Sequence, residues 1–256
     1  MLIGLAAIVS LFTILWLASL AVKNASIVDM WWGPGIFLIG LTYFLTTSGA
    51  QFRRGLVLSC VGLWALRLAW HIGSRNIGHG EDFRYVAWRT QYGPRWWWVS
   101  YLRVFVLQSV IAWIVALPLY FAISAAEPGQ LTNWDLVGSA LFTAGFWFEA
   151  IGDEQLRRFK ARPENQGKVM TTGLWRYTRH PNYFGEAVLW WGLAVIAAGT
   201  PAGYIGIVGA VLINFFLVRV SGVSLLEKAL KTTKPGYAEY IATTSSFVPM
   251  PPKAAR

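Results

Sequence analysis

Long apolar stretches constrain this chain more than any other feature of its sequence. A helix needs roughly 20 apolar residues to cross the hydrocarbon core of a bilayer. The stretches that approach this length are 2–22, 31–47, 55–72, 98–125, 131–151, 183–198 and 202–220. The first has neither a basic start nor a small-residue cleavage site, which predicts a retained helix rather than a signal peptide. We therefore predict an all-α, polytopic integral membrane protein with seven transmembrane helices and a single membrane domain over residues 1–256.

The composition argues against an ordinary soluble domain. Hydrophobic residues make up 55% of the 256 residues and charged residues 13%, whereas a soluble domain carries about 25% charged residues. The 15 tryptophans and 10 tyrosines suit membrane–water interfaces. The single cysteine, Cys60, excludes an intrachain disulfide. The three histidines are too scattered to predict a metal site.

The basic residues predict how the chain is oriented in the membrane. They concentrate in segments 74–97 and 152–182 and in the tail from 221, which seven helices would place on one side. The opposite loops, near Glu127 and Pro201, carry no lysine or arginine. By the positive-inside rule, the basic loops are cytoplasmic and the N-terminus is outside. This topology accounts for the net charge of +10, so we expect no nucleic-acid partner. The adjacent pair Arg53 and Arg54 lies on the opposite side, against the rule.

Polar side chains of specific types gather between the fifth and sixth predicted helices. If the fifth helix continues, Asp153, Arg157 and Lys160 fall on one face at spacings of four and three. One carboxylate with two cations suits a ligand that carries both hydroxyl groups and phosphates. The alternative is a solvated helix held by its own ion pairs.

The sequence RYTRHPNYFGE follows over residues 176–186. Its proline can begin the next helix, and a helix N-terminus beside cations is a natural anion site. The tail adds Arg219, then a predicted amphipathic helix around 225–228, a Pro-Gly turn and a segment to Pro249 that docks back on the membrane face. There is neither a GxGxxG motif after a strand nor a Walker loop, so helices and loops of the membrane domain would hold any nucleotide.

The runs DEQLRRFK (153–160) and RHPNYFGE (179–186) resemble the C-terminal domain of steroid 5α-reductases and their bacterial relatives. The resemblance extends over residues 135–252. It implies an oxidoreductase that uses NADPH to reduce the C4–C5 double bond of a 3-oxo-Δ4-steroid or a similar lipophilic enone. It further implies lipid metabolism in a bacterial inner membrane, with the cofactor site on the cytoplasmic side. Residues 131–253 would bind the cofactor and residues 1–125 would form the substrate side.

The resemblance also implies roles for matching residues. Asn182 matches an asparagine near the nicotinamide, and Arg219 matches a cofactor-binding arginine. Glu227 stands where the family has a cofactor-contacting tyrosine, and either Arg75 or Arg84 supplies a loop arginine. The predicted cofactor-binding residues are Asp153, Arg157, Lys160, Arg176, Tyr177, Arg179, His180, Asn182, Arg219 and Glu227.

The catalytic groups match the family less closely. The animal enzymes of this family polarise the steroid ketone with a glutamate from an early span and a tyrosine from the next. Here Asp29 stands near the glutamate position and Trp64 near the tyrosine position; as an alternative, Asp29 caps a helix N-terminus. The predicted catalytic residues are Asp29, Tyr183 and Glu186, and the predicted walls of the substrate slot are Trp31, Trp32 and Trp64.

Three other functions stay open at this point. Isoprenylcysteine carboxyl methyltransferases are similar in the Arg-His-Pro-x-Tyr-x-Gly segment and use S-adenosylmethionine. Sterol C14 reductase-like activity lies within the reductase class, and a transporter would also explain many spans. The natural substrate, the choice between NADPH and NADH, and the oligomeric state are left undetermined by the sequence.

Overall fold

The computed structural model confirms an all-helical membrane protein. It describes residues 1–220, 223, 227, 230, 231 and 233–253. Helices hold 78% of the described residues, and no β-strand occurs among them. Five helical regions are long and apolar enough to cross a membrane: Leu2–Val22, Ile27–Thr46, Gln51–Asn76, Phe83–Val115 and Gly203–Val220.

The predicted fifth and sixth membrane helices correspond to two further helices. These are α8, Asn133–Lys160, and α9, Pro181–Ala198. Neither is among the five regions that combine sufficient length with sufficient apolarity. Seven spans and an outside N-terminus therefore stay predictions. The predicted tail helix around 225–228 falls mostly outside the described residues, Glu227 excepted.

The chain divides into two compact units. The first comprises Met1–Asp135 and Ile196–Gly209, and the second comprises Leu136–Val195 and Ala210–Arg256. This division does not test the predicted assignment of substrate to 1–125 and cofactor to 131–253, which stays a prediction.

The first unit is built on three long helices and a fourth helical region with a local π-helical turn. Gly35 of the second helix, Ile27–Thr46, lies so close to the first helix, Leu2–Val22, that an added Cβ would collide with Ile8 and Phe12, as is common where membrane helices pack through small residues. The π-helical residues Tyr101–Val106 join the helix Trp96–Ser100 to the helix Leu107–Val115. The helices are α1 (Leu2–Val22), α2 (Ile27–Thr46), α3 (Gln51–Asn76), α4 (Phe83–Tyr92), α5 (Trp96–Ser100), α6 (Leu107–Val115) and α7 (Leu117–Ser124).

A buried ion pair explains why Arg53 departs from the positive-inside pattern. Its guanidinium donates to Asp135 at 2.8 Å, and both side chains are at most 2% exposed. It also donates to the backbone carbonyls of Pro128 and Gln130. Arg54 lies over the ring of Phe44 and donates to the carbonyl of that residue. Both cations thus have partners within the protein, although Nη1 of Arg53 and Nε of Arg54 make no hydrogen bond with the described residues.

The second unit centres on the close approach of α8 and α9. A Cβ at Gly185 of α9 would collide with the backbone of Glu149, and one at Gly145 of α8 with the backbone of Leu189. Glycines at this contact let the two helix backbones touch. Further elements are α10 (Ile207–Phe215), a π-helical turn (Phe216–Val220) and α11 (Tyr237–Thr243).

Candidate functional site

A buried carboxylate and a carboxamide meet where α8 approaches the start of α9. The Nδ2 atom of Asn182 donates to Oδ1 of Asp153 at 2.9 Å, and Asp153 is 7% exposed. Pro181 begins α9 because its missing N–H costs nothing at a helix start. Gly152 lets Pro181 and the backbone of Asn182 approach within van der Waals distance. The structure therefore brings together two residues that are separated by 29 positions in the chain.

One acceptor of this pair lacks a donor. The Oδ1 atom of Asn182 is buried and accepts no hydrogen bond from the part of the chain that the structure describes. A buried polar atom left in this state costs about 1–3 kcal/mol. A ligand that offers an N–H group at this point would recover that energy.

The basic end of α8 is organised by a residue that the sequence analysis did not use. Glu154 accepts hydrogen bonds from Arg157 at 2.6 Å and from Arg158. Hydrogen bonds and charge from these arginines lower the pKa of Glu154 to about 2. Arg157 is 62% exposed, whereas Asp153 is buried, so the predicted face of Asp153, Arg157 and Lys160 is divided between interior and surface. Their common role in binding a cofactor stays a prediction.

Arg179 and His180 form a buried cluster with Glu227. The Nε atom of Arg179 donates to Glu227 at 2.7 Å, and Nε2 of His180 lies 3.3 Å from the same oxygen. Arg179 also donates to the carbonyls of Ile241 and Thr244. The cluster therefore anchors the tail to the motif that precedes α9.

Protonation in this cluster follows from burial and charge. Burial lowers the pKa of His180, an effect that the carboxylate of Glu227 only partly offsets. Burial acts to raise the pKa of Glu227, but hydrogen bonds and charge from Arg179 outweigh it and leave that pKa lowered. The cluster thus holds a neutral imidazole beside a charged Arg–Glu pair, and its predicted role as a set of cofactor ligands is untested.

The remaining residues predicted for this part of the chain differ in burial and in their contacts. Tyr183 stacks on the ring of His180 at 5.6 Å, and Glu186 is half-buried on α9. Arg176 and Tyr177 are exposed on the segment before α9, and Arg219 is exposed in the π-helical turn after α10.

In the first unit, Asp29 accepts hydrogen bonds from two side chains of α4. Tyr85 Oη donates at 2.6 Å and Arg84 at 3.0 Å. Gln108 Nε2 lies 3.4 Å from the same phenol oxygen. Asp29 is the third residue of α2, whose N-cap is Ser26, so the alternative that Asp29 caps the helix is wrong.

Tyr85 is a residue that the sequence analysis missed. It lies in the segment interpreted as a basic loop, 74–97, but the structure places it in α4 at the start of a helical region that reaches Val115. No spacing in the sequence connects it to Asp29. The only available signal was chemical, since a carboxylate on an apolar helix requires a donor. Of the two alternative loop arginines, Arg84 binds Asp29 and Asp82, whereas Arg75 donates to Asn76.

The tryptophans predicted to line the substrate slot, which also lie in the first unit, differ in their burial. Trp64 is fully buried on α3, and Trp32 packs edge-on against it with ring centroids 6.0 Å apart. Trp31 is 37% exposed. A substrate slot formed by these rings stays a prediction.

The fold and these polar clusters define a helical membrane protein with buried groups capable of polar chemistry. The chain belongs to the family described as "Protein of unknown function (DUF1295)", which matches residues 15–244. An uncharacterized protein of Schizosaccharomyces pombe is 28% identical over 214 residues, or 73% of this chain and 62% of that protein. Steroid 5-alpha-reductase DET2 of Gossypium hirsutum is 34% identical over 71 residues, or 27% of this chain and 28% of that enzyme.

The chain spans less than two thirds of the length of these relatives. No solved structure matches. The partial similarity to the cotton enzyme is consistent with the steroid reductase-like superfamily and with a membrane reductase-like protein.

Proposed function

We propose that this protein is an NADPH-dependent membrane reductase that saturates the double bond of a lipophilic enone of the 3-oxo-Δ4-steroid type. The observation that carries the proposal is the buried Asp153–Asn182 pair with its unsatisfied amide oxygen. The partial similarity to a steroid 5-alpha-reductase supports the reaction class. In the predicted topology, the cofactor site faces the cytoplasm of a bacterial cell.

The chemistry of the donor set fits a nicotinamide dinucleotide. Asn182 Oδ1 needs an N–H donor, which the carboxamide of nicotinamide carries. Asp153 suits ribose hydroxyl groups, and the cations Lys160 and Arg219 suit phosphates. When bound, NADPH supplies the hydride.

The residues Asp29 and Tyr85 would supply the proton. Reduction of an enone needs a donor at the carbonyl oxygen, where negative charge develops. In this role, the Tyr85 hydroxyl, which donates its single proton to Asp29 at 2.6 Å in this structure, would turn that proton to the substrate oxygen when substrate binds. Arg84 holds Asp29 in place from the other side. We therefore assign to Tyr85 the donor role that the sequence analysis gave to Asp29, with Asp29 as its positioning residue.

The test begins with binding to purified full-length protein in detergent micelles. NADPH, NADH and S-adenosylmethionine are titrated separately by calorimetry. We expect saturable binding of NADPH that Asn182→Ala and Asp153→Asn abolish and that Gln166→Ala, an exposed change before the motif, preserves. Binding of S-adenosylmethionine with no binding of NADPH would contradict the proposed reductase activity and favour a methyltransferase.

The second stage measures turnover. The wild-type protein is incubated with progesterone or testosterone and NADPH, and mass spectrometry detects a product heavier by two hydrogens. NADPH binding without turnover of these steroids would retain the cofactor and reject this substrate class.

A further inference from the structure

A cavity whose lining includes several polar side chains lies in the second unit, outside the Asp153–Asn182 pair. Its volume is about 610 Å³, within the range of about 300–1,000 Å³ that is common for ligand pockets. The segment that precedes α9, the helix α11 and the end of the described tail enclose it. Its polar side chains are Thr171, Thr172, Arg176, Glu239, Thr243 and Thr244.

The cavity is separated from the Asp153–Asn182 pair by packed side chains. Leu174 donates its backbone N–H to Gln155 at 3.0 Å, so this segment packs on the face of α8 that carries Gln155. Residues two apart on a helix point about 200° from one another, so Asp153 faces away from that side. Tyr240 closes the inner wall by donating to the carbonyl of Trp175. Neither Asp153 nor Asn182 lines the cavity.

The charges of the lining specify the kind of ligand. The guanidinium of Arg176 and the carboxylate of Glu239 are both exposed, and neither makes an ion pair within the described ranges. A single cation and a single anion give a lining with no net charge. Arginine binds a phosphate through paired hydrogen bonds, and threonine hydroxyls donate to phosphate oxygens. Glu239 repels a polyanion but attracts an ammonium group, so the lining favours a zwitterion with one phosphate and one amine.

An apolar rim, formed by exposed residues close in the chain to Arg176 and Pro252 of the lining, indicates where this zwitterion comes from. Tyr177, Val248 and Met250 are 43%, 51% and 56% exposed. Met250 donates its backbone N–H to the carbonyl of Tyr177 at 2.9 Å, which joins the end of the tail to the residue that follows Arg176 in the chain. Exposed apolar side chains at the edge of a polar site mark contact with a lipid or a partner. In a membrane protein the apolar part of such a ligand is an acyl chain.

We propose that this cavity binds the headgroup of a zwitterionic aminophospholipid such as phosphatidylethanolamine. Arg176 binds the phosphate, Glu239 binds the ammonium group, and the rim of Tyr177, Val248 and Met250 contacts the acyl chains. The proposal takes Arg176 and Tyr177 out of the predicted set of cofactor-binding residues, goes beyond the reductase activity and does not depend on it.

The experiment measures which lipids the full-length protein retains. Protein in maltoside detergent is incubated with equal amounts of dioleoyl phosphatidylethanolamine and dioleoyl phosphatidylglycerol, and native mass spectrometry counts the bound lipids. We expect the wild type to prefer phosphatidylethanolamine about tenfold, as one charge-assisted contact allows. Arg176→Gln should weaken both lipids, whereas Glu239→Gln should remove the preference alone. The matched controls are Arg162→Gln and Glu164→Gln, which change exposed residues outside the cavity lining.

Two outcomes would overturn the proposal. Equal retention of the two lipids by the wild type and both cavity variants would show that the cavity does not distinguish between the two headgroups. Equal affinity for soluble glycerophosphoethanolamine and for the intact lipid would assign the cavity to a free metabolite. Because Arg176 and Glu239 are exposed, their variants should keep the wild-type thermal unfolding temperature, which the same samples verify.

Discussion

Tyr85 donates a 2.6 Å hydrogen bond to Asp29 across a separation of 56 residues. Arg84, the neighbour of Tyr85, donates to the other carboxylate oxygen at 3.0 Å. The two oxygens of Asp29 are therefore both hydrogen-bonded from α4. Because Asp29 accepts at both oxygens, the proposed function gives the role of proton donor to Tyr85 and not to Asp29.

Replacing Tyr85 with phenylalanine removes that proton and little else. If Tyr85 is the donor, Tyr85→Phe should lower turnover roughly 10²–10⁴-fold, the usual contribution of general acid catalysis, while NADPH affinity stays unchanged. Steady-state assays of the steroid product and calorimetric titration of NADPH measure the two quantities. Tyr204→Phe, at a 67% exposed tyrosine, is the matched control. Undiminished turnover in Tyr85→Phe would remove this residue from the mechanism.

Asn182→Ala and Asp153→Ala should both abolish turnover because each breaks the pair that we assign to the cofactor. Asn182→Asp tests the assignment further, since a carboxylate retains the shape of the side chain but cannot donate to Asp153 and repels it. The measurement is NADPH binding together with product formation. Wild-type values in both alanine variants would contradict the cofactor site.

Arg53 tests the buried ion pair in the first unit. Arg53→Ala leaves Asp135 buried without its main partner, and breaking such a pair costs about 3–5 kcal/mol. We expect a clear fall in the thermal unfolding temperature of the detergent-solubilised protein. The double variant Arg53→Met with Asp135→Leu removes both charges and should recover much of the loss. Arg162→Ala, at an exposed arginine, should leave the unfolding temperature unchanged.

Acid should destabilise the protein through His180. Burial lowers the pKa of His180 in the folded state, whereas an unfolded histidine titrates near about 6.5. Below that pH the imidazole binds a proton in the unfolded chain but stays neutral in the folded chain. The free energy of unfolding therefore falls as the pH drops. Glu227, whose pKa is lowered, adds a further loss once the pH falls below the ordinary glutamate value of about 4.3.

The measurement is the unfolding temperature at several pH values between pH 7.5 and pH 5. This range includes the ordinary histidine pKa of about 6.5. His180→Gln should flatten the decline, while His79→Gln, at an exposed histidine, should not. A wild-type protein that gains stability toward pH 5 would contradict the assignment.

Gly185 tests the contact of α8 with α9. A Cβ at this position would collide with the backbone of Glu149, and backbone cannot move aside as a side-chain end can. Gly185→Ala should therefore destabilise the protein by about 1–3 kcal/mol. Gly55→Ala is the matched control, because nothing lies within 4 Å of a Cβ there. That change should be neutral or slightly stabilising, since alanine favours a helix by about 1 kcal/mol over glycine.

The sequence by itself determined the helical membrane class and much of the helix pattern. The first apolar stretch, 2–22, coincides with α1, and the stretch 202–220 coincides with the region Gly203–Val220. The physical reason is that a bilayer requires long apolar helices, and this requirement is visible in the local composition. Pro181 likewise marked the start of α9 because a proline is compatible with the first turn of a helix and unfavourable within it.

Only the tertiary structure decided which polar groups meet. Asp153 and Arg157 lie on one helix face by spacing, yet Asp153 binds Asn182 while Arg157 binds Glu154. Tyr85 reaches Asp29, and Arg53 reaches Asp135, across long separations in the chain. A polar side chain inside a protein takes whichever partner the packing brings within about 3 Å. Helix periodicity cannot supply that information, because it fixes directions around one helix and not the position of its neighbours.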